Sequence, residues 1–346
     1  MKSIKFYIGM GALGLLVWLL AIGCHHHANT SPPPQTNPAT YTYTSTLIAT
    51  HSPGFFSALW HNRKLFLGTY ATNNGGHGDL RCQLCTLESN QVKVLHTFNG
   101  ESVYHIRGYP GYLFLPVEHG SLYRRNDDGT IIKLLPQRQD WGYYEALWCA
   151  GHWFAFEMID TQESKSATDI YRDGQKWHTT TNWRTKAAVA FNGNLYLSAR
   201  GINLHTETGI IKMNPETKVE ARYKTYIGRR SGAITAYEGA VWTTLDNGLV
   251  VNTRGEEYNL GPQRAWFIGE IDGTLFATTG GRWRGVGPSH LYVFNPITRK
   301  FEKKLDFPDA EPWWITSAGQ VGSYYLVTRN QVGNVGRVYE IVKNEK

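Results

Sequence analysis

The chain has 346 residues, of which 13% are aromatic and 36 are glycine, and its formal net charge is +7. The charges are scattered, and no basic helix or nucleic-acid-binding motif accompanies them, so nucleic acid is excluded as the expected partner. Length alone would permit two domains, but nothing in the sequence after the N-terminal region interrupts its pattern. The composition therefore favours one large domain with many strands and tight turns.

Residues 1–23 have the features of a secretory signal peptide. A short basic start, Met1–Lys5, is followed by an apolar run from residue 6 to residue 22 and by the small residue Gly23. This arrangement is typical of an export signal. The apolar run is almost long enough to span a bilayer, so a retained membrane anchor is the alternative.

The sequence that ends at Cys24 resembles the processing site of bacterial lipoprotein precursors. Leu20-Ala21-Ile22-Gly23-Cys24 is similar to a lipobox, although alanine stands at position 21, where such signals usually have leucine. The resemblance implies that Cys24 is acylated and becomes the mature N-terminus. It also implies an exported protein with a lipid anchor in the bacterial cell envelope, either periplasmic or facing the surface. Each buried CH₂ group of the acyl chains would stabilise the attachment by roughly 0.8 kcal/mol.

Residues 24–42 have the composition of a tether. Three histidines follow Cys24, and then come small polar residues and Pro32-Pro33-Pro34. Such a segment cannot bury a core, so we expect it to be disordered. The histidines could bind a metal weakly, but a solvated spacer is the interpretation that we favour. We expect no metal site and no cofactor in the protein.

The segment 43–346 repeats a block of the form turn, apolar, aromatic, apolar. The blocks lie roughly 34 to 49 residues apart, and a period in this range without a helical pattern is typical of a β-propeller. The seven blocks begin at Arg63, Gly111, Gly151, Gly193, Gly239, Gly273 and Gly322. We therefore predict an all-β fold, a seven-bladed β-propeller of four-stranded blades. No motif of a particular propeller family accompanies the repeat, and a fold alone does not indicate function.

The last repeat ends at Lys346, shortly after its third strand. The missing outer strand can come from residues 43–49, which precede the first inner strand. The two ends of the chain would then share one blade and close the ring. Closure of this kind removes an exposed sheet edge, which would otherwise favour aggregation.

Three cysteines follow Cys24, and an odd number permits at most one disulfide among them. Cys82 and Cys85 have the spacing of a CxxC motif, but a strand places residues three apart on opposite faces. Thr86 stands where a haem-attachment site would need histidine. We expect Cys82, Cys85 and Cys149 to be buried free thiols.

The long loops of the predicted propeller emerge on one face. Consecutive strands alternate in direction, so the loops between second and third strands share a face with the connections between blades. We call this the long-loop face, and binding residues favour loops held by a rigid scaffold. Its long loops are 71–79, 158–168, 200–208, 280–290 and 330–336.

The long-loop face carries aromatic and arginine side chains. Aromatic rings offer flat apolar surfaces to sugars or peptide side chains, and arginine binds carboxylates with two parallel hydrogen bonds. The candidate ligand-binding residues are Arg282, Trp283 and Arg284 in one loop and Trp141, Trp183, Arg229, Arg230 and Trp313 between blades. The alternative for the tryptophans between blades is packing, with arginines stacked on them.

Three functions are consistent with these features. The favoured one is a membrane-anchored, non-catalytic binding or scaffolding module that holds a protein or an acidic glycan at its long-loop face. The first alternative is an enzyme acting on polysaccharides or lactone-like substrates, which needs at least two carboxylates or histidines near one point, with shifted pKa values. The residues that could converge in this way are Glu118, His119, Glu157, Asp160, His77 and His205. The second alternative, a structural ring in a surface assembly, predicts apolar patches and no pocket.

Overall fold

The computed structural model describes residues 41–71, 80–137, 141–160, 166–180, 183–201, 207–227, 231–246, 248–280, 288–308, 310–329 and 335–345. Within these residues, the regular secondary structure consists of β-strands alone. The part of the chain described contains no helix with the length and apolar character needed to cross a membrane. The strands form seven antiparallel sheets arranged as the blades of a propeller, and each blade has four strand positions from the channel to the rim. The predicted fold is therefore confirmed.

Each blade runs from an inner strand at the channel to an outer strand at the rim. Blade 1 consists of β2 (Phe55–His61), β3 (Lys64–Thr69), β4 (Arg81–Glu88) and β5 (Gln91–Asn99). In blade 2, β6 (Ser102–Val103) and β7 (Arg107–Tyr109) share the inner position, followed by β8 (Tyr112–Glu118), β9 (Leu122–Asn126) and β10 (Ile131–Leu135). Blade 3 consists of β11 (Tyr143–Cys149), β12 (His152–Asp160), β13 (Ser166–Arg172) and β14 (Gln175–Thr180).

The remaining blades follow the same order. Blade 4 consists of β15 (Trp183–Phe191), β16 (Asn194–Gly201), β17 (Glu207–Met213) and β18 (Glu220–Ile227). Blade 5 consists of β19 (Ser231–Tyr237), β20 (Ala240–Leu245), β21 (Leu249–Asn252) and β22 (Glu257–Asn259). Blade 6 consists of β23 (Arg264–Ile271), β24 (Thr274–Gly280), β25 (Ser289–Asn295) and β26 (Lys300–Phe307). Blade 7 consists of β27 (Glu311–Ser317), β28 (Ser323–Arg329), β29 (Gly336–Glu345) and, outermost, β1 (Tyr41–His51).

Blade 7 closes the ring with strands from both ends of the propeller, as the sequence predicts. β1 pairs antiparallel with β29, from Tyr41 opposite Glu345 to His51 opposite Gly336. Tyr43 is buried against the core between blades 6 and 7. The strand begins two residues before the predicted start at residue 43, because the ladder to β29 already includes Tyr41 and residue 42. These two residues therefore belong to the propeller and not to the tether.

Tight turns close the inner hairpins on the face opposite the long-loop face. Between β15 and β16, Asn192 and Gly193 have φ values of 48° and 69°. Two successive left-handed residues form the type I′ turn, whose twist matches that of the strands it joins. Similar pairs occur at Ala150-Gly151, Glu238-Gly239 and Asp272-Gly273. The glycine that opens most copies of the sequence block is thus a turn residue.

Buried apolar residues form one cluster between each pair of neighbouring blades. Between blades 5 and 6, fully buried Trp242 stacks on Tyr258 at 5.4 Å and packs edge-on against Phe294 at 5.2 Å between ring centroids. Burial of such a side chain stabilises the fold by roughly 1.5–3 kcal/mol. The repeated aromatic residue of each block therefore fills the wedge between two sheets.

The three described cysteines are free and buried, as predicted. Cys82 lies in the core between blades 1 and 2, and Cys85 lies in the core between blades 7 and 1. The two thiols therefore point to opposite faces of β4. Burial raises the pKa of Cys85 to about 12 and that of Cys149 to about 11, so these groups stay protonated and unreactive.

Candidate functional site

Besides the clusters between neighbouring blades, a further cluster of mostly aromatic residues surrounds one end of the channel. Beside it lies a cavity of about 60 Å³, enough for a few water molecules or one small polar group. The cavity is lined from six of the seven blades, and its lining residues lie at the starts of inner strands and the ends of second strands. Chain direction therefore places it at the long-loop face, and we call it the channel-mouth cavity. The buried aromatic members of the cluster are Phe56, Tyr104, Tyr144 and Trp313.

A pair of carboxyl groups forms one wall of the cavity. One ligand atom from each of Glu101, Glu118 and His119 lies within 4.8 Å of the others. Tyr144 donates a hydrogen bond to Glu118 Oε1 at 2.6 Å, and Ser102 donates one to Oε2 at 2.8 Å. The other carboxylate, Glu101, accepts a hydrogen bond from Tyr70 and lies 3.0 Å from His119 Nε2. Protein groups thus contact all four carboxyl oxygens.

The environments of the two carboxyl groups push their pKa values apart. Burial raises the pKa of Glu118, and the neighbouring charge of Glu101 raises it further. Burial also opposes ionisation of Glu101, but hydrogen bonds from His119 and Tyr70 outweigh it and lower its pKa. Glu101 therefore carries the negative charge, and Glu118 more readily keeps a proton. A pair separated in this way is the usual arrangement of a proton acceptor beside a proton donor.

The backbone around Glu118 is tightly constrained. His119 has a φ of 53°, in the left-handed region, and its amide donates to the Trp141 carbonyl at 2.8 Å. The imidazole lies over the Trp141 ring at 5.1 Å between centroids. Gly142 bridges to Glu118, and a Cβ atom on Gly142 would lie 2.5 Å from the amide nitrogen of Gly120. Only glycine permits this close approach of the two blades.

Glu101, Glu118 and His119 are also near enough to one another to hold one metal ion. Carboxylate and imidazole are common ligands of divalent cations. The hydrogen bonds already made to these oxygens would have to share or yield their acceptors to an ion. The expectation of no metal site therefore remains a prediction.

The cavity also carries positive charge from three blades. Lys186, Arg264 and Arg329 all line the cavity. Arg329 lies 3.8 Å above the Tyr70 ring and 5.5 Å from the Trp313 ring, measured from Cζ to the centroid. Arg264 lies 4.0 Å above the Trp266 ring, and its Nε is 2.8 Å from Asp246. Stacking fixes the planes of both guanidinium groups.

A buried ionic network lies at the inner side of the cavity. Glu145 is fully buried, and His105 Nδ1 lies 2.8 Å from its Oε2. Arg107 donates to both oxygens of Glu145, at 3.0 and 2.8 Å. Burial opposes ionisation of Glu145, but Arg107 and His105 outweigh it and lower its pKa to about 2. Arg107 also donates to the carbonyl of Ala188 at 3.1 Å, so the network joins blades 2, 3 and 4.

Three buried polar atoms beside the cavity have no hydrogen-bond partner among the described residues. They are Ser231 Oγ, Trp266 Nε1 and Trp313 Nε1, and all three residues line the cavity. A buried hydroxyl or indole N–H without a partner costs roughly 1–3 kcal/mol. Such atoms are commonly satisfied by a ligand or an ordered water.

The structure separates the described candidates of the sequence analysis into two groups. Trp313 lines the cavity, 4.3 Å from Trp266 between ring centroids. Trp141 supports His119 and lies under Arg184 at 5.0 Å. Trp183 is instead 5% exposed in the core between blades 3 and 4, as the packing interpretation proposed. The remaining candidates, Cys24, Arg229, Arg230, Arg282, Trp283 and Arg284, lie outside the described residues.

The candidate catalytic residues divide similarly. Glu118 and His119 do converge, but with Glu101, which the sequence analysis did not select. Glu157 is buried in β12 and accepts a hydrogen bond from Tyr171 at 2.7 Å. The side chains of Asp160, His77 and His205 lie outside the described part of the chain.

Several residues of the cavity and of the ionic network were missed because they lie in strands, or between β6 and β7 in the case of His105, and not in the long loops. The one available signal was a charged residue inside an inner strand, as at Glu145 and Lys186. The others that were missed are His105, Arg107 and Arg329.

Comparison with known proteins supports the fold alone. The crystal structure of the computationally designed Ika8 protein aligns with a TM-score of 0.52 and 8% sequence identity, over 85% of this chain and 99% of that one. No protein-family model matches the sequence, and neither does any curated protein. Because a propeller hosts many functions, the function has to be argued from the site.

Proposed function

We propose that the protein is a membrane-anchored binding module of the cell envelope whose channel-mouth cavity binds an acidic residue of a glycan. The proposal rests on one observation above all. Three cationic side chains, Lys186, Arg264 and Arg329, come from three blades to one aromatic-walled cavity. Placing three cations together costs free energy unless anions offset them, and a bound carboxylate would add to that compensation.

The two arginines are suited to hold a carboxylate. Their guanidinium planes lie against the rings of Tyr70 and Trp266, so little side-chain entropy is lost when a ligand binds. A guanidinium binds a carboxylate through two parallel N–H···O bonds, a geometry that a neutral ester does not reproduce with equal strength. An acidic sugar residue is therefore favoured over its neutral counterpart.

The rest of the cavity suits a hydroxylated ring. Phe56 and Trp313 lie 4.6 Å apart between centroids and offer an apolar surface. Glu101 supplies an ionised acceptor for a hydroxyl group, while Ser231 Oγ and Trp266 Nε1 are buried polar atoms without a hydrogen-bond partner among the described residues. A volume of about 60 Å³ accommodates one small polar group, here the carboxylate, so the site would read one residue of a chain.

The test is a calorimetric titration with a galacturonate trisaccharide and with its neutral methyl ester. We expect the acid to bind and the ester to bind at least tenfold more weakly. Arg329→Met should weaken binding of the acid by about tenfold, which corresponds to the loss of one charge-assisted hydrogen bond. Arg125→Met is the matched control, because Arg125 also stacks on a ring, that of Phe66 at 5.2 Å, outside the cavity. Equal binding of acid and ester, or no effect of Arg329→Met, would contradict the proposal.

The membrane anchor is supported by the lipobox-like sequence that ends at Cys24. We expect the protein to enter the detergent-rich phase of a Triton X-114 partition when expressed in a bacterium. Cys24→Ser should move it to the aqueous phase or leave it as an uncleaved precursor. An unchanged partition and size in this variant would remove the lipoprotein part of the proposal without affecting the cavity.

Catalysis on an acidic glycan is a second candidate, favoured by the carboxyl pair. Two carboxyl groups with opposite pKa shifts near one point meet the requirement that the enzyme alternative set. If it holds, reducing-end assays with acidic polysaccharides should show turnover that Glu118→Gln and Glu101→Gln each abolish. Binding without turnover by the unmodified protein would leave the non-catalytic module as the function. The presence of a cavity weighs against a purely structural ring.

A further inference from the structure

The inner strand of blade 2 differs from the inner strands of the other blades. It is split into β6 and β7, which end and resume on either side of Tyr104, His105 and Ile106. At the interruption, the rings of Tyr104 and His105 lie 4.6 Å apart between centroids, and both residues line the channel-mouth cavity. A departure from the repeat that places a histidine in a cavity is the kind of local irregularity found at functional sites.

The hydrogen bond to Glu145 determines which nitrogen of His105 carries the proton. Glu145 is ionised, because its pKa lies near 2, so it can only accept a hydrogen bond. His105 Nδ1, 2.8 Å from Oε2, must therefore be the protonated nitrogen. Burial lowers the pKa of His105 despite the attraction of Glu145, so the ring is neutral near pH 7. Nε2 is then left with a lone pair.

We propose that His105 Nε2 is a hydrogen-bond acceptor of the channel-mouth cavity and accepts a hydrogen bond from a hydroxyl group of the bound sugar residue. This inference rests on the proposed function and adds a hydroxyl, beside the carboxylate, to what the site recognises. Nδ1 faces Glu145, so Nε2 is the ring nitrogen left to meet a ligand. Among the residues that the structure describes, none hydrogen-bonds to it. Arg107 donates to both oxygens of Glu145 and so orients the acceptor indirectly.

The ring of His105 is also fixed in place by its neighbours. Trp314 packs against it at 4.8 Å and Tyr104 at 4.6 Å between centroids. Rotation of the buried imidazole would break its hydrogen bond to the ionised Glu145 and leave the Nδ1 proton without that acceptor, which is costly. The acceptor is therefore rigid before any ligand arrives, as expected of a residue that selects by hydrogen-bond geometry.

The first test needs no ligand. Two-bond ¹H–¹⁵N correlation spectra of the protein labelled on histidine give the tautomer of each ring, and His105→Asn identifies the signals of His105. We expect His105 to be protonated on Nδ1 and not on Nε2 at neutral pH. A signal showing a proton on Nε2 would overturn the inference, whatever the protein binds.

The second test is binding of the galacturonate trisaccharide. His105→Asn keeps an amide near Nδ1 but removes the acceptor at Nε2, and we expect about tenfold weaker binding. His105→Gln, which can reach the Nε2 position with an amide oxygen, should recover part of the affinity. His152→Asn is the control, because His152 Nδ1 also lies 2.5 Å from a carboxylate, that of Asp173, on the opposite face.

The outcomes separate this inference from the proposed function. Unaltered affinity in His105→Asn, with acid still preferred over ester, would overturn the acceptor role alone. Absence of binding by the unmodified protein would overturn the proposed function, and with it the role of His105 in recognising a sugar.

Discussion

Replacement of Glu145 by glutamine removes the charge that holds the centre of the ionic network. Arg107 would then face a neutral amide, and the single amide oxygen could not accept every hydrogen bond that the two carboxylate oxygens accept from Arg107 and His105. Because Glu145 is fully buried, water cannot replace these contacts. We expect the variant to fold with a markedly lower free energy of unfolding at neutral pH.

The size of the effect follows from the pKa of Glu145. Its pKa is about 2 in the folded protein, against 4.5 for an ordinary glutamate. A difference of about 2.5 pKa units corresponds to about 3 kcal/mol, at 1.36 kcal/mol per unit. Loss of one member of a buried ion pair costs a similar amount, about 3–5 kcal/mol. Since the folded-state pKa is depressed, this stabilisation is complete above pH 4.5 and disappears as the pH falls towards 2.

The assay is urea denaturation of the unmodified protein and Glu145→Gln over a series of pH values. The gap in free energy of unfolding should be about 3 kcal/mol at pH 7 and should shrink as the pH falls below about 4.5. Glu88→Gln is the control, because Glu88 forms an exposed pair with Lys93 at 3.5 Å, which contributes less than about 1 kcal/mol. A gap that does not change with pH, or one no larger than that of Glu88→Gln, would refute the reasoning.

Three further predictions concern the site, its pH dependence and the closure of the ring. Gly142→Ala should destabilise the protein by about 3 kcal/mol, and Gly151→Ala by about 1 kcal/mol. Of these two positions, only Gly142 would bring a Cβ atom against backbone, at 2.5 Å. Equal melting temperatures of the two variants would contradict this prediction. Burial raises the pKa of Glu311 to about 7 beside Arg329, so the protein should bind the galacturonate trisaccharide several-fold more weakly as the pH rises through 7. Calorimetry with Glu311→Gln should show no such change, and an identical pH profile in this variant would exclude Glu311 as the cause. Removal of residues 1–51 deletes β1 and exposes the edge of β29, so this protein should aggregate, whereas one lacking only the predicted signal and tether should remain monomeric by light scattering.

The fold could be predicted from the sequence because every blade repeats the same turn residues and the same buried aromatic position. The turn glycines, such as Gly193 and Gly273, require left-handed backbone, and the aromatic residue that follows fills the wedge between sheets. Even the closure of the ring could be predicted, since the last repeat lacked one strand. β1 begins two residues before the predicted boundary at residue 43, because Tyr41 pairs with Glu345 of β29, at the far end of the chain.

The site could be predicted only in part, because it combines residues that no short motif joins. Glu118 and His119 were recognised as candidates, but Glu101 lies in the connection between blades 1 and 2 and comes close to them only in the folded chain. His105 and Glu145 lie 40 positions apart and meet across two blades. Trp183 was selected as a binding residue but belongs to the core, whereas Trp313, also between blades, lines the cavity. The residue type alone does not distinguish the two roles.

The most direct test of the proposed function is a crystal structure of the protein grown with the galacturonate trisaccharide. We predict that one carboxylate of the sugar lies in the channel-mouth cavity, within hydrogen-bond distance of the guanidinium group of Arg329 or Arg264, with its ring against Trp313. A sugar bound elsewhere on the propeller, or a cavity that holds only water at saturating ligand, would contradict the proposal.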